Sequence, residues 1–475
     1  MLMLTPVATE VFVLVMGCIA LLVVAWQRTE ESLLVYRLSQ LTLIGALIVN
    51  SLSFDGHTVL ALHGAAINDP LAVVLRACIL VISFIVFVYT RDYLLERKLL
   101  RGEYFVLALF AVLGMLVMSS AHNLLSMYMG LELLSLCLYA MVALHRDSQA
   151  ATEAAMKYFV LGAIASGMLL YGMSMLYGVT GSLDLSVINA KVHYAGVSPL
   201  LLSFALVFIV VGVAFKLGAV PFHMWIPDVY EGAPTAVTLF VGSIPKLAGF
   251  ALALRLLVDG LEGIAADWSQ MLVILSILSI AVGNVIAIAQ DNIKRMLAYS
   301  TIAHIGYMLL GILSATPDGY AASLFYTITY TLMSAGAFGM IILLGRYGFE
   351  ADRLQDYAGL GQRAPWFALM MMIIMLSMAG VPPMLGFWGK WFVLAAVIDA
   401  GHLSLAVAAV VFSVIGAYYY LRIVKLMYFD TPAEAMVINK SGMLRLTLSL
   451  NALAVLVIGL LPGNLMALCL AAING

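Results

Sequence analysis

The chain has 475 residues, 64% of them hydrophobic and 10% charged, with a formal net charge of −2. A water-facing surface needs far more charge than this, so a soluble fold is excluded, and the near-neutral balance gives no sign of a nucleic-acid partner. The apolar residues come in long blocks of the length that crosses a hydrocarbon core of roughly 30 Å, which makes the class an all-α, polytopic integral membrane protein.

Blocks bounded by charged or Gly/Pro-rich turns predict about fourteen spans, at 7–26, 33–53, 70–92, 104–120, 122–144, 154–180, 199–222, 234–257, 269–289, 293–313, 319–345, 364–398, 403–428 and 445–469. The first block carries Glu10 and lacks a basic leader, so it reads as a span and not as a cleaved signal. No linker is long enough to hold a separate domain, so 1–475 is expected to be one membrane domain. Cys18, Cys78, Cys137 and Cys469 lie far apart in apolar blocks without metal-ligand spacing, which predicts small buried hydrophobes and no metal or iron–sulfur site.

Lysine and arginine favour cytoplasmic loops. With both termini periplasmic, the cytoplasmic face collects Arg28, Arg91, Arg97, Lys98, Arg101, Arg146, Lys294, Arg295, Arg346, Arg353, Arg363, Arg422, Lys425, Lys440 and Arg445. The other face keeps Lys191 and, at a helix end, Arg255. A missed or invented span would scramble this split. Arg37, Arg76, Lys157, Lys216, Lys246 and Lys390 remain inside spans.

Two spans contain breakers at mid-depth: span 7 at Lys216-Leu-Gly-Ala-Val-Pro221, and span 12 at Gly380-Val-Pro-Pro383 followed by Lys390. Proline removes a backbone donor, and hydrocarbon tolerates the freed carbonyls only beside protein or a watery cavity. Broken helices five spans apart, each with a nearby lysine, predict two inverted five-helix repeats, spans 4–8 (104–257) and 9–13 (269–428). Spans 1–3 (1–103) and the last span (445–469) then flank them.

A charge at the centre of a membrane helix costs about 2.5–3.5 kcal/mol on insertion scales, so Glu132, Lys216, Lys246 and Lys390 need a reason to be there. Burial disfavours a charged amine and a nearby carboxylate favours it, so a lysine whose partner moves is a proton-loading site. The alternative is a static buried salt bridge that fixes packing, but one carboxylate cannot serve three lysines. Lys157 follows Glu153 at helical spacing, which fits a snorkelling ion pair as well as a relay. His223 and His304 are candidate relays, with a satisfied core histidine as the alternative. His57, His63, His122, His145, His193 and His402 fall in loops or at helix ends, where a solvated side chain is expected. Ser300, Thr301, Tyr299, Tyr307, Tyr326 and Tyr330 are candidates for holding waters, or simple packing. Arg37 and Arg76 suit structural pairing or a subunit contact.

Lys216-Leu-Gly-Ala-Val-Pro-Phe-His-Met-Trp-Ile-Pro-Asp-Val-Tyr-Glu-Gly-Ala-Pro-Thr235 and Asn292-Ile-Lys-Arg-Met-Leu-Ala-Tyr-Ser-Thr-Ile-Ala-His-Ile-Gly-Tyr307 resemble two signatures shared by the antiporter-like subunits of respiratory complex I and the multisubunit Na⁺/H⁺ antiporters. Gly416-Ala-Tyr-Tyr-Tyr-Leu-Arg422 and a short end at Gly475 resemble a branch without the long lateral helix of the distal subunit. The resemblance implies fourteen helices with two inverted repeats, and matches Glu132, Lys216, Lys246 and Lys390 to the family's proton-translocating positions in spans 5, 7, 8 and 12. It further implies a subunit of an H⁺-translocating NADH:quinone oxidoreductase in a bacterial inner membrane, beside other antiporter-like subunits. NADH, FMN, iron–sulfur clusters and quinone would be handled by other subunits, with no cofactor or redox centre in this chain. On that reading, separation of Glu132 from Lys216 would send a proton to Lys246 and then Lys390. A multisubunit Na⁺/H⁺ antiporter subunit and a non-pumping membrane scaffold are the alternatives.

Overall fold

The structure is a computed structural model describing residues 4–27, 32–54, 56–193, 198–346, 348–431 and 440–475; Arg28 lies outside the described residues. The chain opens with α1 (Ala8–Trp26) and α2 (Leu33–Leu52), then a hairpin of β1 (Val59–Ala61) antiparallel to β2 (Ala66–Asn68). Next come α3 (Pro70–Glu96), α4 (Gly102–Ser120), α5 (Leu124–Val142), α6 (Gln149–Thr180) and the short α7 (Leu185–His193). The middle of the chain forms α8 (Pro199–Leu217), α9 (Trp225–Gly232), α10 (Thr235–Gly242), α11 (Pro245–Leu254), α12 (Ala265–Ile288), α13 (Ile293–Leu313) and α14 (Pro317–Leu344). The remainder is α15 (Leu360–Arg363), α16 (Pro365–Ala379), α17 (Leu385–Asp399), α18 (Leu403–Phe429), α19 (Gly442–Leu460) and α20 (Pro462–Asn474).

Local chemistry sets many of these starts. Side chains of Asp69, Asn123, Ser148, Asn292, Thr316 and Ser441 accept hydrogen bonds from the first free amides of α3, α5, α6, α13, α14 and α19. Among the described residues, 13 helical segments are long and apolar enough to cross a membrane, and the α16–α17 pair fills the expected twelfth span in two shorter pieces. The most apolar windows of α13 and α14 are each 94% buried against 33% for α1, which puts the first two at the centre of the bundle and α1 at its rim.

Span 7 breaks as expected, between α8 and α9, and span 12 between α16 and α17. Gly218 (φ 88, ψ 36) and Gly380 (φ 87, ψ 37) end the first helix of each pair in the left-handed region, which glycine enters without a Cβ penalty. Each is followed three residues later by a proline, Pro221 or Pro383. The two lysines sit differently about these breaks: Lys216 precedes its glycine on α8, whereas Lys390 follows on α17.

Several expectations need correction. Span 8 is also broken, at Ser243 (φ −113, ψ −81), because Pro245 starts a new helix, so α10 and α11 are separate and Lys246 lies in the first turn of α11. The last span is two helices, since Pro462 begins α20. His122 is buried, not solvated, because the β2 hairpin and the Asp184 segment pair with its neighbours Ala121 and Asn123 and cover it. Lys294, expected at the cytoplasmic end of span 10, lies there in the first turn of α13 but is buried, with Nζ 2.9 Å from the Ala233 carbonyl.

Two buried arginines pin the face opposite the basic loops. Arg76 donates to Asn68 Oδ1 at 2.6 Å and pairs with Glu10 at 3.5 Å, the structural role expected of it. Arg255 grips both Asp69 carboxylate oxygens at 2.7 Å and reaches Asp259 at 2.9 Å. Arg37 stays exposed on α2.

Candidate functional site

Glu132 lies half-buried on α5, with Ser135 one turn along the helix. Lys216, at the end of α8, donates to Ser135 Oγ at 2.9 Å. Glu132 itself has Tyr128 as its near partner and feels Lys216 only through its field. Lys246 reaches from α11 to the Leu217 carbonyl at 3.1 Å, one residue past Lys216, and its ammonium stands 5.6 Å from the centre of the Trp225 ring. Trp225 is fixed by its indole N–H on the Phe215 carbonyl at 3.0 Å and by a stack on Tyr158 at 4.5 Å. Lys390 donates to the Ala379 carbonyl at 2.9 Å and to Ser413 Oγ at 2.8 Å.

The two helix breaks are used in the same way. Leu217 and Ala379 are the residues just before Gly218 and Gly380, and their carbonyls lose helical partners when the helix stops. Each carbonyl accepts a lysine ammonium instead, Lys246 from the neighbouring span in one case and Lys390 from the same span in the other. The breaks therefore build acceptor sites for amines inside the bundle.

Among the described residues, the lysines in ion pairs are Lys157 and Lys440; Lys216, Lys246 and Lys390 are held by neutral oxygens alone. The three amines are thus seated on polar oxygens without a direct ion pair, an arrangement that suits repeated loading and release of a proton. The static Glu132–Lys216 salt bridge is not formed in this structure.

A polar seam runs along α13 and α14 to the Lys390 end of the bundle. Residues 300, 301, 304 and 307 share one face of α13, and 323, 326, 327, 330, 331 and 334 share one face of α14. His304 has both ring nitrogens occupied, Nδ1 by Tyr326 Oη at 2.6 Å and Nε2 by Tyr420 Oη at 3.0 Å. Tyr420 Oη is also 2.5 Å from Ser300 Oγ, and Thr301 Oγ1 is 2.7 Å from Tyr330 Oη. Tyr307 donates to the Ala409 carbonyl and lies under the Lys390 ammonium at 5.2 Å.

The other candidates fall outside this line. Lys157 is half-exposed between Glu153 at 2.9 Å and Asp228 at 2.8 Å, and Asp228 is shared with Arg295 at 3.0 Å. His223 follows the α8 break with its Nδ1 buried and without a hydrogen-bond partner. Tyr299 is packing at the edge of the core. At the basic face, a polar pocket lined by Lys294, Glu231, Glu350, Asp352, Arg97 and His145 leads toward α10. In it, Glu350 accepts from Arg97 Nε at 2.7 Å, Tyr93 Oη at 3.0 Å and Thr235 Oγ1 at 3.1 Å. Burial pushes the Glu350 carboxyl up, but Arg97 overrides this and holds it below the usual carboxylate range.

Sequence reasoning missed Ser135, Ser413, Tyr420, Trp225 and Lys294. A signal for two of them was present: Ser413, Gly416 and Tyr420 recur at i, i+3 and i+7 along α18, the spacing of one helix face.

A family model described as NADH:quinone oxidoreductase/Mrp antiporter, transmembrane region, matches residues 121–416. The NADH-quinone oxidoreductase subunit N of Thiobacillus denitrificans is 57% identical over 469 residues, covering 99% of this chain and 97% of its own. That of Thioalkalivibrio sulfidiphilus is 55% identical over 472 residues, 99% of this chain and 98% of its own. A chain of respiratory complex I from Thermus thermophilus superposes with a TM-score of 0.84 at 34% identity, over 98% of this chain and 100% of that one. A chain of an Mrp complex from Dietzia sp. shares the fold, with a TM-score of 0.86 at 21% identity over 99% of this chain and 97% of that one.

Proposed function

The chain belongs to the NADH:quinone oxidoreductase/Mrp antiporter transmembrane family, and from that membership we infer that it is the subunit N type of antiporter-like subunit in the membrane arm of a bacterial NADH:quinone oxidoreductase. Its neighbours are other membrane-arm subunits, and NADH oxidation and quinone reduction take place elsewhere in the complex. Its contribution is proton translocation. Both termini face the periplasm and the basic loops the cytoplasm, with residues 104–257 and 269–428 as inverted repeats.

The observation that carries this reading is the placement of three lysines inside a bundle with only neutral oxygens as partners. Lys216 loads a proton when the Glu132 carboxylate approaches and releases it when that carboxylate withdraws. The Ser135 hydroxyl, which holds Lys216 at 2.9 Å, supports this reading as the partner that takes the amine when the carboxylate withdraws. The released proton passes to Lys246, whose ammonium sits on the carbonyl of Leu217, the residue after Lys216. His304 relays it through the α13–α14 seam to Lys390. Lys157 and His223 lie beside the path and tune its charge. Moving one charge against the membrane potential takes about 2.3 kcal/mol per 100 mV, which this chain cannot generate, so the drive comes from redox chemistry in the partner subunits.

In assembled complex, Lys216→Ala is expected to lower NADH-driven proton uptake together with coupled quinone reduction. Wild-type uptake by that variant would remove Lys216 from the mechanism.

A further inference from the structure

We propose that the Tyr326 and Tyr420 hydroxyls, one on each side of His304, are proton-carrying groups, so that Ser300, Tyr420, His304 and Tyr326 form a single reversible wire. The proposal rests on the reading of the chain as a proton translocator and names the groups that pass the proton within it.

The geometry is specific. The ring of His304 is 4% exposed and sits between two phenols that are 3% and 2% exposed, at 2.6 Å and 3.0 Å from its two nitrogens. These phenols come from different helices, α14 and α18, so the imidazole is clamped from both sides. A neutral imidazole has one N–H and one bare nitrogen, and a hydroxyl both donates and accepts. In one tautomer Tyr420 donates to Nε2 while Nδ1–H donates to Tyr326; in the other every bond in the chain points the opposite way. A proton arriving from the Ser300 side adds to the Tyr420 oxygen as the Tyr420 O–H proton moves to Nε2. The Nδ1 proton then moves to the Tyr326 oxygen, whose own proton is taken up by the neutral amine of Lys390, next to Gly389 against which the Tyr326 ring lies. One proton enters, one leaves, and each oxygen again carries one hydrogen. Tyr326 lies against Tyr307 at 6.0 Å between ring centres, and the Lys390 ammonium stands over Tyr307, so the Tyr326 end of the wire faces the last lysine.

A merely structural hydroxyl would hold the ring in place and pass nothing. Tyr420→Phe and Tyr326→Phe keep the ring packing and remove only the relay oxygen. Each variant is built into the intact complex, reconstituted in vesicles, and assayed for NADH-driven proton uptake in H₂O and D₂O, with Lys246→Ala in parallel. The expected result is a loss of uptake of about tenfold or more in each, the scale of a proton-transfer group. The solvent isotope effect should rise above the wild-type value, and the double variant should be no worse than either single one. Wild-type uptake in both phenylalanine variants, or lowered uptake with an unchanged isotope effect, overturns the wire while an inactive Lys246→Ala leaves the translocator reading standing. Normal uptake by Lys246→Ala overturns that reading and the wire with it.

Discussion

At the scale of single residues, the molecule separates its charges into two kinds. Several near the membrane faces are paired: Arg255 with Asp69 and Asp259, Arg97 with Glu350, Lys440 with Glu96. Those in the interior, Lys216, Lys246 and Lys390, meet only hydroxyls and carbonyls. The paired carboxyls make a pH prediction. Burial pushes the Asp69 carboxyl up and the Glu350 carboxyl up, yet Arg255 and Arg97 respectively hold both below the usual carboxylate range. A carboxyl whose folded-state pKa is depressed stabilises fully above its unfolded pKa and loses that contribution as pH falls through the lowered one. Melting of the purified complex should therefore be flat around neutrality and fall in acid. In Arg97→Gln the Glu350 limb of that fall should move to higher pH; a limb that stays put would mean Glu350 is not the titrating group. The identities of all these charges are plain in the sequence. Their partners are not, since Arg97 and Glu350 lie 253 positions apart.

Among the elements, the informative ones are those that stop short. Span 7 and span 12 were legible as broken because glycine and proline punctuate them at mid-depth. The break in span 8 carries the same mark, Gly242 three residues before Pro245, but Pro245 also sits where a helix start accepts it, and the sequence there reads as one continuous span. Close backbone approach is the other lesson at this scale. A Cβ added to Gly306 on α13 would lie 2.7 Å from the Ser276 carbonyl of α12, and one added to Gly283 on α12 would lie 2.6 Å from the Ala303 amide. Small residues at such crossings let membrane helices pack without a hydrophobic drive. Gly306→Ala should force α12 and α13 apart and cost about 1–3 kcal/mol, the range for overpacking, read as a lower melting temperature of the complex. An unchanged melting temperature would show that the α12–α13 contact yields easily. Because α13 carries Ser300, Thr301 and His304, the same substitution should also lower proton uptake.

Over the whole molecule, α9 and α10 pack against α13 and α14, and the ion-pair group of Lys157, Asp228, Arg295 and Glu231 ties α6 and α9 to α13 at the basic face. A subunit of a redox-driven pump and a free-standing sodium–proton antiporter could share this bundle, and they differ in what drives them. Vesicles containing the intact complex should acidify on NADH addition in sodium-free medium. Sodium efflux without NADH would instead assign the chain to the antiporter branch of its family.

The sequence by itself determined the class, the positions of nearly all spans and which ionisable residues fall inside them, because the cost of burying each side chain in hydrocarbon is a local property that hydropathy and charge report directly. Only the tertiary structure decided that Ser135 and not Glu132 holds Lys216, that the Leu217 and Ala379 carbonyls seat Lys246 and Lys390, and that Tyr420 closes a clamp on His304. Those contacts depend on how each helix is rotated about its axis and which neighbour it packs against, and the packing of side chains distant in the chain, not the apolarity of any one segment, sets both.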